Sequence, residues 1–510
     1  MKTRFLAMLV AMMMLLSLSC ASAEALRSLP EEQTITIAIL EGVNSNKENN
    51  LVEVTLQDRL NVKLEYTYVP SASFDEKINT VLASGELPDI VCFLWKNTVP
   101  VSWVEQGAVL RLDDPENNLL EKYAPNYSSL ITEELKPYAV DYDGGIYSVK
   151  TLVDFKYQSS IMLRSDWLEN LGLDVPKTMD EFVEVLRHFK NDDPNQNGMQ
   201  DEIPYMGLNG DLAPFYNAFG ISVLNNSYPY VEADGKLIPR YEHPEFKNCV
   251  DLLRQMYSEG LIDAEYTIRD IPSRDELVST DKVGMVAATG NESTKLTKSL
   301  RANGFEKALL NPVAPIEGVG GQHIAGRFPT GTSVAITSTA KDPEACLMVL
   351  DYLFSEEGRT LTNFGVEGET FEYVNGEPRL IEPYCTSWEQ ARGVGIAKGT
   401  WAEFWSGENF LQITFQGKTL EDLDEVDALA YHAYVDTDEF AYSMLPGSIF
   451  DTETNRKISA DIWSPLQDEI NNYIMGVSEW DSFESLYKEL KEYGLDKITE
   501  EVNANYDALK

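Results

Sequence analysis

The run Asp193-Pro194-Asn195-Gln196-Asn197-Gly198-Met199-Gln200-Asp201-Glu202-Ile203-Pro204 is the stretch whose residue types and spacing specify chemistry. Counted from Asp193, oxygen-bearing side chains stand at positions 1, 3, 5 and 9, and Gly198 falls at position 6, where a calcium loop of the EF-hand type makes its sharp turn. Hard cations take six to eight oxygens at flexible geometry. Asp193, Asn195, Asn197, Asp201 and Glu202, with the Met199 carbonyl, complete a sphere of six. Position 12, where a signalling loop places a bidentate Glu, is Pro204, so Glu202 at position 10 is the substitute. The expectation is a structural Ca2+ brace rather than a sensor, because no paired second loop and no Met-rich target groove accompany it. The plain alternative is a polar turn rich in Asn and Asp.

The elements that must hold this loop are readable from periodicity. Thr34 to Leu40 alternates as a strand, Leu51 to Leu60 has helical spacing, Val62 to Val69 is a second strand, Phe74 to Ala83 a helix, and Ile90 to Leu94 a third strand. Strand and helix in alternation predict a parallel sheet whose ligands sit beyond the carboxyl ends of the strands. Farther on come a turn at Tyr142 to Gly145, a strand Ser160 to Leu163, and a helix at Asp166 capped by Ser165 and stopped by Gly172. A helix Met179 to Phe189 leads directly into the loop, followed by a strand Tyr205 to Leu208, helices at Leu212 to Phe219 and Glu245 to Ser258, and an apolar strand at Val283 to Ala287.

Composition narrows the class. Lys2 and Arg4 precede an apolar run, Phe5 to Leu18, too short for a comfortable membrane span, so residues 1–23 read as a secretory signal peptide. Two ends are open: lipid anchoring at Cys20 after an imperfect lipobox, or release after Ala23. Either places the mature chain outside the cytoplasm, extracellular or at the cell surface. The formal charge is -42, and -44 once Lys2 and Arg4 are removed, which argues against nucleic acid and anionic lipid as partners. Cys92, Cys249, Cys346 and Cys385 show no zinc or redox spacing, and the strand-like context of Cys92 and the helical contexts of Cys249 and Cys346 read as those of buried thiols. The length exceeds what one core serves, so two lobes are expected.

Several stretches then carry a resemblance. Ser84-Gly85-Glu86-Leu87-Pro88-Asp89-Ile90, Asp143-Gly144-Gly145-Ile146-Tyr147, Arg164 to Leu173 and Lys282-Val283-Gly284-Met285 resemble bacterial family 1 extracellular solute-binding proteins, the receptors of sugar ABC importers. Asp342-Pro343-Glu344-Ala345, Leu350 to Gly358, Phe364 to Glu372, Trp480-Asp481 and Tyr493 to Lys497 are similar to the large lipoprotein-type branch, which includes the alginate-oligosaccharide receptors. That branch is similar at the loop positions and uses the same offsets to hold calcium. The resemblance implies an α/β, two-lobed periplasmic-binding-protein fold of type II with three crossings, near Tyr147 to Val153, Lys282 to Ala288 and Arg327 to Gly331. Lobe 1 would be 31–148 plus 286–328, and lobe 2 would be 149–285 plus 329–510. It further implies a monomeric receptor that closes on a carbohydrate between its lobes and docks on a membrane permease, with ATP hydrolysis left to the importer.

Sugar receptors stack aromatic side chains on apolar ring faces and aim polar groups at hydroxyls. Of the 8 Trp and 25 Tyr, those at strand ends, crossings or irregular loops are Trp95, Tyr147, Trp388, Trp401 and Trp405, the last two one helical turn apart. Glu41, Asn291 and Arg327 are the polar candidates, whereas Trp167 and Trp480 read as packing. Nothing assembles a catalytic motif: the four His lack H-E-x-x-H spacing, and neither G-x-S-x-G nor a phosphate loop occurs. With 83 acidic residues, carboxylate pairs are unspecific, so a secreted glycan-degrading enzyme is the alternative from another class, and a receptor for a peptide or other metabolite the alternative within this one.

Overall fold

The structure is a computed structural model that describes residues 29–40, 50–70, 73–93, 98–141, 143–152, 159–224, 228–322, 324–325, 330–385, 388–396, 421, 423–436, 440–442 and 444–509. Residues 1–23, read from sequence as a signal peptide, lie outside them. In chain order the elements used below are β1 (Gln33–Leu40), α1 (Leu51–Leu60), β2 (Val62–Val69), α2 (Phe74–Ser84), β3 (Ile90–Phe93), β4 (Val149–Leu152), β5 (Ser159–Arg164), α3 (Ser165–Leu171), α4 (Met179–Asn191), β6 (Ile203–Met206), α5 (Phe246–Ser258), α6 (Ile271–Ser279), β7 (Val283–Thr289), α7 (Gly290–Ala302), β8 (Leu310–Val313), β9 (Thr330–Ile336), α8 (Pro343–Tyr352), α9 (Glu453–Ile474), α10 (Trp480–Leu490) and α11 (Asp496–Leu509).

The chain divides into two compact units, Met1–Thr151 with Gly331–Asn409, and Leu152–Thr330 with Phe410–Lys510. The first is built on a five-stranded sheet of order β2-β1-β3-β9-β4. Alternation in β1 buries Ile35, Ile37 and Ile39, and β1 runs parallel to both β2 and β3. The S-G-E-L-P-D-I stretch has a specific job here. Gly85 (φ +73) ends α2 in the left-handed region, and the Asp89 carboxylate accepts from Thr36 N at 2.8 Å and Thr36 Oγ1 at 2.7 Å, tying β3 to β1. In α8, Asp342 caps by accepting from Ala345 N at 2.9 Å, with Pro343 in the first turn.

The second unit carries a four-stranded sheet of order β8-β5-β7-β6, in which β6 is parallel to β7 while β5 is antiparallel to both β7 and β8. Its largest core cluster joins Trp167 of α3, Phe182, Leu186 and Phe189 of α4, and Leu466 and Ile470 of α9. Trp167 meets Phe189 edge to face at 5.2 Å, and Gly284 of β7 makes room for the pair: a Cβ there would lie 2.4 Å from Phe189 Cδ2 and 2.9 Å from the Trp167 ring. Gly284→Ala is therefore expected to cost about 1–3 kcal/mol by overpacking, read as a lowered urea midpoint with unchanged slope. Trp480 packs against Phe246, Tyr473 and Phe483, and its indole N–H donates to Glu484 at 2.8 Å, as a packing residue should. Cys92, Cys249, Cys346 and Cys385 are buried thiols, and burial pushes the Cys249 and Cys346 groups far up from their ordinary values.

Three expectations are corrected. Segment 286–328 does not belong with the first lobe, nor 331–409 with the second: β7, α7 and β8 build the sheet of the second unit, and residues 331–409 join the first. The boundaries at Thr151 and Gly331 coincide with two expected crossings, but Lys282 to Ala288 is no crossing, since β7 runs between β5 and β6; the remaining boundary, at Asn409, lies outside the described residues. The strand expected at Val283 to Ala287 is present, and its pairing with β5 and β6 places it inside the sheet of the second unit rather than at the crossing the resemblance implied. Finally, Arg164 holds the N-cap position of α3, and the Ser165 hydroxyl donates instead to Leu309 O at 3.3 Å.

Candidate functional site

The 193–202 loop is positioned by α4 on one side and by β6 and β7 on the other. Helix α4 starts in a reciprocal capping box between Thr178 and Glu181 and buries Phe182, Leu186 and Phe189. At its end Asp192 N returns to His188 O at 3.0 Å, and the backbone takes positive φ at Asp193 (46°), Gln196 (58°) and Gly198 (78°). Those turns bring the short oxygen-bearing side chains onto the loop's own N–H groups. Asp193 accepts from Asn197 N and Gly198 N, both at 3.0 Å, and Asn197 Oδ1 accepts from Met199 N at 2.6 Å. Asn195 Oδ1 accepts from Asn197 N at 3.2 Å. Substituting Gly198 is expected to strain the loop through its φ alone, because nothing lies within 4 Å of a Cβ built there.

Side chains from elsewhere finish the frame. The Asn195 amide donates to Asp281 O at 2.9 Å, the Asn170 amide to Pro194 O at 2.8 Å, and the Asn197 amide to Asp201 Oδ1 at 3.2 Å. Lys282 Nζ lies 2.9 Å from Asp201 Oδ2, and Ile203 N donates to Lys282 O at 2.7 Å. The ammonium beside Asp201 holds its carboxyl below the usual range, with burial opposing. Glu202 is in the opposite situation: it is 2% exposed, and neither carboxylate oxygen meets a hydrogen-bond partner outside its own residue. Burial pushes its carboxyl up, and Asp201 and Asp193 push the same way.

Asp193, Asn195, Asn197, Asp201 and Glu202 are thus assembled in one short loop, whereas the Met199 side chain is exposed. Among the described residues no three His, Cys, Asp or Glu side chains form a cluster ready to hold a metal ion. The loop's own contacts are consistent with that, since backbone N–H groups take the Asp193 oxygens and Asn197 and Lys282 take those of Asp201. Sequence reasoning missed Asp281 and Lys282, which reach the loop through β-sheet register and carry no local signature.

Within the second unit the loop enters β6 at Ile203, and Asp281-Lys282 enters β7 at Val283, so both lie at the amino ends of parallel strands. Asn291 lies beyond Thr289, at the carboxyl end of β7, on the edge where α/β sheets bind ligands. It sits half-buried in the first turn of α7, whose N-terminus is built by Glu292 accepting from Thr289 N at 2.9 Å and pairing with the buried Arg274 at 2.6 Å. In the first unit Tyr147 donates through its hydroxyl to Asp143 at 2.8 Å and through its N–H to Asp141 at 3.0 Å, and packs on the core cluster around Phe93 and Trp103. Trp388 opens the helix Trp388–Gly393, but its side chain, like Glu41, Trp95, Arg327, Trp401 and Trp405, lies outside the described residues. β1 and β3 are parallel and end at Leu40 and Phe93, so Glu41 and Trp95 follow carboxyl ends of neighbouring strands in sequence.

Residues 52–360, more than half of the chain, match the profile of the bacterial extracellular solute-binding proteins. The chain belongs to this family. A family relative, lipoprotein LipO of Bacillus subtilis (strain 168), is 31% identical over 336 residues, 62% of each chain. The fructooligosaccharide ABC transporter substrate-binding protein FusA of Streptococcus pneumoniae serotype 4 is 29% identical over 361 residues, 67% of this chain and 64% of its own. The matches thus span just under two thirds of these relatives' length. The fold extends further: the crystal structure of the alginate-binding protein AlgQ2 without calcium ion aligns with 95% of this chain and 100% of its own, at TM-score 0.72 and 23% identity. The family fold is α/β and two-lobed, of type II.

Proposed function

We propose that the protein is the extracellular receptor of an ABC importer, capturing an oligosaccharide and delivering it to a membrane permease, and that loop 193–202 holds a structural calcium ion. Membership in the solute-binding family carries the receptor reading, and the name of FusA, a fructooligosaccharide substrate-binding protein, supports a saccharide as the solute. Export accords with the signal-peptide reading of residues 1–23 and with the lipoprotein name of LipO. Palmitate labelling separates an anchor at Cys20 from release after Ala23. Among the described residues no helix is long and apolar enough to cross a membrane.

Glu202 carries the calcium reading. A buried carboxylate with no partner costs several kcal/mol in its charged form. Four oxygen-bearing side chains, those of Asp193, Asn195, Asn197 and Asp201, and the Met199 carbonyl stand beside it in the sequence. Asp193, Asn195, Asn197, Asp201, Glu202 and the Met199 carbonyl would hold the ion, which supplies charge neutralisation and cross-linking of the loop. Its place at the amino ends of β6 and β7 supports reading it as a brace rather than as a ligand contact.

The receptor reading is tested at Trp95. Trp95→Ala is expected to weaken saccharide binding about tenfold in calorimetry while shifting the melting temperature by no more than about 2 °C. Unchanged affinity would remove Trp95 from the site. Saturating saccharide is also expected to compact the protein in small-angle scattering, and scattering that does not change on saturation would contradict a closing receptor.

A further inference from the structure

We infer that Lys282 is a tethered cation that occupies Asp201 when calcium is absent, so that calcium binding exchanges an ammonium for a divalent ion and Lys282 sets the affinity. The inference rests on the calcium reading of the loop but makes a separate claim about a residue outside it. Lys282 is not one of the oxygen donors. It lies immediately before β7, with its Nζ 2.9 Å from Asp201 Oδ2, and its backbone carbonyl independently anchors the loop's exit by accepting from Ile203 N at 2.7 Å. The side chain is 38% exposed, so it can swing into solvent without breaking the core.

The arrangement separates two states of the same loop. The carboxylate at position 9 is neutralised by Lys282, and the Asn197 amide holds its second oxygen at 3.2 Å. Glu202 alone stays without a partner from another residue. With the ion, a divalent charge replaces the ammonium, and a positive side chain left within a few ångströms of it is repelled. Asp281, the residue before Lys282, binds the Asn195 amide through its carbonyl and faces Arg164 through its carboxylate, so the backbone at this point is fixed whichever cation occupies the loop. The Lys282 side chain, partly exposed and paired to Asp201, is the charged group from outside the loop that can respond. A lysine in this place lets the calcium-free loop keep its register on β7, at the cost of weaker calcium binding.

The test is a calcium titration by calorimetry with a parallel melting curve in chelator, on full-length mature protein, for wild type, Lys282→Met and Lys282→Arg. Lys282→Met is expected to bind calcium roughly fivefold more tightly. Its calcium-free form is expected to melt about 2 °C lower. Lys282→Arg keeps the charge and is expected to stay near wild type. Lys282→Met binding no more tightly than wild type overturns the inference and leaves the calcium reading intact, whereas a wild type that binds no calcium overturns both. Should Lys282→Met fail to fold, carbon-13 methylated lysines in the wild type give the same answer. One lysine signal, absent in Lys282→Arg, is expected to move on calcium addition, and no such response overturns the inference.

Discussion

Calcium at about a hundred times its dissociation constant is expected to raise the melting transition by roughly 5–10 °C over the same protein in chelator, and Glu202→Gln is expected to abolish most of that rise. The magnitude follows from linkage: a ligand that binds only the folded state at this excess adds about 2.7 kcal/mol. In a lobe of this size each kcal/mol is worth roughly 2–4 °C. Glu202 decides the sign for the variant. Its carboxylate is buried without a hydrogen-bond partner from another residue, and burial pushes it toward the neutral form. A glutamine in its place removes a charge that only a cation can satisfy. The calcium-free variant should therefore be at least as stable as wild type, while its response to calcium collapses. Melting curves of wild type that overlay with and without calcium would remove the brace.

The second large effect is expected at Arg164, where Arg164→Met should destabilise the second unit by about 3–5 kcal/mol, lowering its transition on the order of 10 °C. Arg164 is 1% exposed. Its guanidinium forks onto Asp166 at 2.8 and 2.6 Å, lies 2.6 Å from Asp281 through Nη1 at an angle outside hydrogen-bond geometry, and covers the Trp167 ring at 4.8 Å. Removing it leaves the Asp281 carboxylate, which burial already pushes up, without the larger of the two neighbours, Arg164 and Trp167, that oppose that push. Met fills the volume but none of the charge. Arg164→Lys keeps a cation but loses the planar fork and the stacking, so an intermediate loss is expected. Because the Asp281 carbonyl also holds the Asn195 amide at 2.9 Å, Arg164→Met should loosen the calcium loop as well, read as weaker calcium binding. A variant with the wild-type urea midpoint would show that the network is held by Asp166 and its surroundings instead.

How much of this was legible in the sequence depended on whether the signal was local. The strands at Gln33–Leu40 and Val62–Val69 and the helix at Met179–Asn191 follow from periodicity and capping, and they stand within a few residues of where the pattern put them. The loop was legible because calcium chemistry fixes residue types at fixed offsets within one turn of chain. The division into lobes was not legible, because the apolar pattern of β7 shows a strand but not which sheet it joins, and that is set by pairing with β5 and β6, which are distant in sequence. Nor were Arg164, Asp281 and Lys282: they meet the loop and one another across some 80 to 120 residues, through sheet register that no window of sequence contains. The Ser165 cap failed for a related reason, since Leu309 O from a distant segment claims its hydroxyl. The saccharide contacts named from sequence remain the least constrained by the fold, with Tyr147 and Asn291 placed and Trp95, Arg327, Trp401 and Trp405 outside the described residues.

Calorimetric titration of the calcium-loaded protein with a panel of neutral and acidic oligosaccharides, with reducing ends assayed in the same samples, tests the receptor claim most directly. The account predicts that at least one oligosaccharide saturates the protein at one molecule per chain and that no new reducing ends appear. Release of reducing ends beyond stoichiometry, or a panel in which no saccharide binds while a peptide or other metabolite does, would contradict it.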